Sequence, residues 1–149
     1  MQAETVLEEL ATDDLDRGYV ERRLEDWSDR INGLYAQIRQ WIPVGWTARS
    51  QDARFAIQEA PMKRAGIEAR EFPTLELIKD GIITVHVRPH ALWIIGANGR
   101  IDLVAKRGLF LIVDQANIFT PPVWQVSPMT AREDIKPFDS EQLLKLLEI

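Results

Sequence analysis

The sequence predicts an α+β fold: a long amphipathic N-terminal helix packed on an antiparallel β-meander of five to six strands, with a short C-terminal helix. Three observations carry this. Large apolar residues recur at alternating four- and three-residue steps at Val20, Leu24, Trp27, Ile31, Leu34, Ile38 and Trp41, the spacing of one continuous helical seam. From Thr74 the pattern switches to strand periodicity. Glycine-bearing turn signals then follow in quick succession at Lys79-Asp80-Gly81, Asn98-Gly99 and Lys106-Arg107-Gly108.

The chain of 149 residues, 46% hydrophobic and 28% charged, fits a single domain over 1–149 with a sizeable core. Thr5 to Leu10 reads as a short helix inside an acidic arm, 1–18. The Thr12-Asp13-Asp14 cluster offers caps and favourable charge for the start of the long helix, placed at 19–42. Pro43 ends it, because the residue before a proline leaves the helical region. Residues 47–73 have mixed charge and no clean period, with a short helix or irregular edge segment around Met62 to Arg70 between Pro61 and Pro73.

The meander spans 74–127, with strands at about 74–78, 82–88, 92–97, 100–105 and 109–114, and an edge strand at Val123 to Val126. A three-residue loop at 79–81 sets Leu77 against Ile83 and Leu75 against Val85, matching apolar with apolar. Asn98-Gly99 reads as a two-residue hairpin turn, and 106–108 as a second three-residue loop. In this register Arg100 faces Asp114, with Asp102 diagonal to Asp114 on the same face. Ser140 caps a closing helix at 140–148.

Composition narrows function more than it names it. The net charge is −5, and residues 1–16 hold Glu4, Glu8, Glu9, Asp13, Asp14 and Asp16 without one basic side chain. An acidic chain gains nothing from a phosphate backbone, so nucleic acid is not favoured. A basic protein surface suits such an arm through steering and complementarity. There is no cysteine, so disulfides and thiolate metal sites are excluded. Neither a secretory signal nor an apolar run long enough for a membrane is expected, which makes the cytoplasm the expected location.

No nucleophile elbow, phosphate-binding glycine loop or dinucleotide fingerprint occurs. His86 and His90 flank Arg88-Pro89 and read as surface histidines. Five tryptophans are many for this length; Trp46 and Trp124 stand beside prolines, where aromatics serve as interface anchors or plug the ends of a core. Asp102 and Asp114, within reach of each other in the expected register, form an alternative magnesium-type site.

The segment Gly99-Arg-Ile-Asp102-Leu-Val to Leu-Ile-Val-Asp114 resembles the central hairpin of PD-(D/E)xK nucleases. The resemblance implies Asp102 and Asp114 as metal-binding acids of a hydrolase; Ala116 stands where that family has its lysine, with Lys106 the one nearby replacement, and the hydrolase reading adds Glu59 or Glu76 as a further carboxylate.

The leading expectation is a non-enzymatic protein–protein interaction module of a bacterial cytoplasm: an adaptor, an immunity-type inhibitor or a small subunit of an assembly. It needs no cofactor, and self-association is one version of it. The expected partner-binding residues are Trp46, Trp124, Glu8, Glu9, Asp13 and Asp14. The rival is the metal-dependent hydrolase; a pocket between helix and sheet for a small molecule is a third reading.

Overall fold

The computed structural model describes residues 16–148, with the backbone alone for residues 51–55. The expected helix at 5–10 and the acidic residues Glu8, Glu9, Asp13 and Asp14 lie outside the described residues.

Helix α1 (Arg17–Trp41) starts at Asp16, whose side chain accepts from the Gly18 amide, and stops just before Pro43 as expected. Six of the seven seam residues are buried, and Trp41 is half-buried edge-on to Phe138. The buried stripe is wider than the apolar count suggests, because Arg23, Arg30 and Tyr35 lie in it too.

After α1 come β1 (Trp46–Ile57), α2 (Ala60–Arg64), β2 (Arg70–Lys79), β3 (Ile82–Ile94), β4 (Ala97–Ala105), β5 (Gly108–Asp114), β6 (Trp124–Pro128), β7 (Lys136–Pro137) and α3 (Ser140–Leu147). The strands form one antiparallel meander in the order β1-β2-β3-β4-β5-β6-β7. Helix α1 packs on one face, against Leu75, Leu77, Val85, Val87, Ile101, Leu103, Ile112 and Val126. No described helix is long and apolar enough to cross a membrane.

Several expectations are corrected. Residues 46–57 are a strand, missed because the register shifts between Gln51 and Phe55 and breaks the period-two count. That irregular stretch lies opposite Pro73, which sits inside β2 and does not bound it. The two strands expected at 82–88 and 92–97 are one, β3, with an irregularity between Pro89 and Ala91; a proline is tolerated in a strand where the ladder is already interrupted.

The turns differ as well. Lys79 pairs with Ile82 around a two-residue turn, Asp80-Gly81, both at positive φ (52° and 75°). A bulge between Leu77 and Ile78 then restores the apolar match, Leu77 with Val85. The β3–β4 turn is Ile95-Gly96, because Ile94 pairs with Ala97 and Trp93 with Asn98. Ala105 pairs with Gly108, making the next turn Lys106-Arg107. Asp139, not Ser140, caps α3 by accepting from the Gln142 amide at 2.9 Å.

Candidate partner-binding groove and the buried network beneath it

The one-residue difference at Lys106-Arg107 decides the fate of the two aspartates. Arg100 pairs with Val113, and Asp102 with Leu111. Asp102 therefore points to the outer sheet face, whereas Asp114 shares the inner face with Ile112, toward α1. On the outer face Asp102 accepts from Arg100 Nε at 2.8 Å and lies 3.6 Å from His90 Nδ1. Glu76, also on that face, accepts from Arg49 and stands 3.9 Å from His86. The expected pairing of Arg100 with Asp114 is corrected, and the sheet separates the two acids of the alternative metal site. Among the described residues no group of three metal-ligating side chains occurs.

Asp114 is fully buried. Its Oδ2 accepts from Arg30 Nη1 at 2.6 Å and from Asn98 Nδ2 at 3.3 Å. Its Oδ1 accepts from the amides of Ala116 at 3.0 Å and Val123 at 2.8 Å. Both oxygens are thus engaged in hydrogen bonds. Arg30 also donates Nε to Asp26 at 2.6 Å and Nη2 to the Thr120 carbonyl.

The network continues inward. Asn98 Oδ1 accepts from Arg23 Nη1 at 2.6 Å, and the Arg23 guanidinium lies 5.6 Å from the Trp93 ring centroid. Glu59, just before α2, accepts from the amides of Leu92 and Trp93 at 2.8 and 3.0 Å. Burial raises its pKa above the ordinary carboxylate range, against the two amide hydrogen bonds and the Arg23 charge, which lower it. Glu59 is thereby a backbone anchor, with neither Asp102 nor Asp114 among its hydrogen-bond partners.

This network pins the loop from 115 to 123. Asp114 holds its two ends, Arg30 holds Thr120, and Gln115 donates its amide to the Val123 carbonyl at 2.9 Å. The pinned loop carries Phe119 at φ 64°, a left-handed conformation costly for a bulky residue. The Phe119 ring is about half exposed and meets Tyr19 edge-on at 6.1 Å. The Arg22 guanidinium lies 5.7 Å from the Tyr19 centroid and 6.0 Å from that of Phe119.

Between loop and helix lies an open groove of about 400 Å³. Phe119, Thr120, Pro121 and Pro122 line it from the loop; Asp26, Asp29, Arg30 and Gly33 line it from the helix. A Cβ on Gly33 would meet nothing within 4 Å, so that glycine leaves the groove open. Asp29 is exposed and makes no ion pair among the described residues.

The expected tryptophan anchors sit elsewhere. Trp46 and Trp124 are both buried in the core cluster, at 9% and 8% exposure. Both are packed as plugs at the ends of the core and offer a partner little exposed surface. Sequence reasoning missed Phe119 and the arginines beneath it. The signal available was the spacing Arg23, Trp27, Arg30, which puts both arginines on the buried stripe. Comparison with protein families, curated proteins and solved structures finds no match.

Proposed function

We propose that the chain is a non-enzymatic protein-binding module that docks a basic partner surface in the groove between α1 and the 115–123 loop. The observation that carries this reading is Phe119: an exposed aromatic held in a left-handed conformation by a buried Asp114–Arg30 pair. Rigid aromatics are the side chains on which interface energy concentrates, and ordering them beforehand removes part of the cost of association. Asp29 stands exposed in the same groove, beside an Asp26 that is paired with Arg30. The acidic N-terminal sequence ends at Asp16, three residues before the Tyr19 that touches Phe119. Both features favour a cationic partner and fast encounter with it.

The experiment is affinity capture from the native host, quantified for the wild type against Phe119→Asn/Asp29→Lys. Asparagine tolerates the left-handed backbone, and Asp29 is exposed, so the variant keeps the fold. A basic protein recovered with the wild type and lost with the variant supports the reading. Identical capture profiles defeat it.

A further inference from the structure

A second cavity, of about 210 Å³, lies away from the groove, where α3 meets β6, β7 and the Lys106-Arg107 turn. Its walls combine two chemistries. Phe110, Val126 and Leu146 give it an apolar side, while Arg107, Lys136 and Lys145 bring three cations against one carboxylate, Asp134. Gln142 and Ser127 add neutral polar groups. In a chain of net charge −5 this lining is locally basic, three cations to one carboxylate, with Glu141 beside Lys145 just outside it.

The cations are only loosely engaged by the protein's own acids. Lys136 Nζ lies 4.0 Å from Asp134, and Lys145 Nζ lies 3.8 Å from Glu141. Exposed pairs at these separations add little and are readily exchanged for a better anion. Arg107 donates Nη1 to the Lys145 carbonyl at 3.2 Å, which ties the turn to α3 and fixes one side of the cavity.

We propose that this cavity is a binding site for a small organic phosphate monoester. A phosphate carries close to two negative charges and three strong acceptor oxygens, which suits a wall that presents three cations. The organic part of the ester lies against Phe110, Val126 and Leu146. The volume is below that of sites for drug-sized molecules, so the ligand is small. This site is independent of the partner groove, and either one stands if the other fails.

The test uses the full chain and defined probes: phenyl phosphate, inorganic phosphate, benzoate and phenol, titrated calorimetrically with amide chemical shifts recorded in parallel. Phenyl phosphate is expected to bind saturably, with shifts centred on Arg107, Phe110, Ser127 and α3. Inorganic phosphate and benzoate are each expected to bind about tenfold more weakly, and phenol not at all. Lys136 and Lys145 are about half exposed. Lys136→Met and Lys145→Met are therefore expected to leave thermal unfolding of the free protein unchanged, and each to weaken phenyl phosphate by about tenfold, or 1.4 kcal/mol. Four results each overturn the proposal: no saturation by about 10 mM phenyl phosphate (roughly ten times a Kd of 1 mM), shifts centred elsewhere, equal binding of benzoate or phenol, or affinity indifferent to both lysine variants.

Discussion

Gly99 and Gly96 give a controlled comparison between backbone strain and steric exclusion. Their φ angles are nearly equal, 98° and 94°. A Cβ on Gly96 would meet nothing within 4 Å, whereas one on Gly99 would stand 2.6 Å from Trp27 Nε1 and 3.2 Å from its Cδ1. Gly96→Ala therefore incurs only the left-handed penalty, about 1–2 kcal/mol. Gly99→Ala incurs the same penalty and must also displace Trp27, a fully buried side chain on the seam. Overpacking adds about 1–3 kcal/mol, giving a total of about 2–5 kcal/mol.

The assay is equilibrium urea unfolding followed by circular dichroism, with a matching fall in Tm of roughly 5–15 °C for a chain of this size. Trp27→Leu removes the indole nitrogen and Cε2, the atoms at 2.6 and 3.3 Å from the new methyl group, and puts nothing beyond its branch in their place. In that background Gly99→Ala should cost only the left-handed share, about 1–2 kcal/mol. Equal costs at Gly96 and Gly99, or an unchanged Gly99 cost with Trp27→Leu present, would refute the close-approach argument.

Three further outcomes follow from the same network. Asp114→Ala should destabilise by about 3–5 kcal/mol, because it breaks a buried ion pair and takes the acceptor from Arg30 Nη1 and from the Ala116 and Val123 amides, while Arg30 keeps Asp26; Glu25→Ala, which breaks the exposed Glu25–Arg70 pair, should cost at most about 1 kcal/mol, and urea titration separates the two. Phe119→Gly should change stability by less than about 1 kcal/mol, since relief of the left-handed strain offsets glycine's entropy and the lost ring contact. Phe119→Val should cost more than Phe119→Gly, and equal effects would contradict the left-handed assignment.

The third outcome concerns pH. Burial raises the Glu59 pKa on folding, so its contribution is fully present below the ordinary value of 4.5 and is lost as pH rises through the raised one. Glu59→Gln removes that titration. The stability of the wild type minus that of the variant should accordingly fall from pH 4 upward, a trend that paired urea titrations would reveal or exclude.

Much of the architecture was legible because its signals are local. The seam from Val20 to Ile38 needs only the helical repeat, and Pro43 needs only its own ring to end the helix. The apolar strands from Leu75 to Val113 alternate clearly enough to place a sheet. Strand β1 escaped notice because an irregularity opposite Pro73 interrupts its alternation. Asn98-Gly99 misled for a different reason. The dipeptide suits a tight turn, yet Asn98 is buried between Arg23 and Asp114, and Gly99 lies where the indole of Trp27 closes on the strand.

The candidate groove was less legible than the fold. Phe119 looks like any loop aromatic in sequence, and its exposure depends on Asp114 and Arg30, which are 84 residues apart. Trp46 and Trp124 are as conspicuous in sequence as Trp27, but their burial depends on which elements close over the ends of the sheet.

By itself, the sequence determined the long helix, the antiparallel meander, the short closing helix and the uneven charge, all properties of neighbours along the chain. Tertiary structure decided the register of the β4–β5 turn, and with it the opposite faces of Asp102 and Asp114, the burial of two arginines and the pose of Phe119. The reason is physical: a strand's two faces alternate residue by residue, so a turn one residue shorter sends each following side chain to the other side of the sheet. Only the packing of α1 against that sheet selects which turn is made.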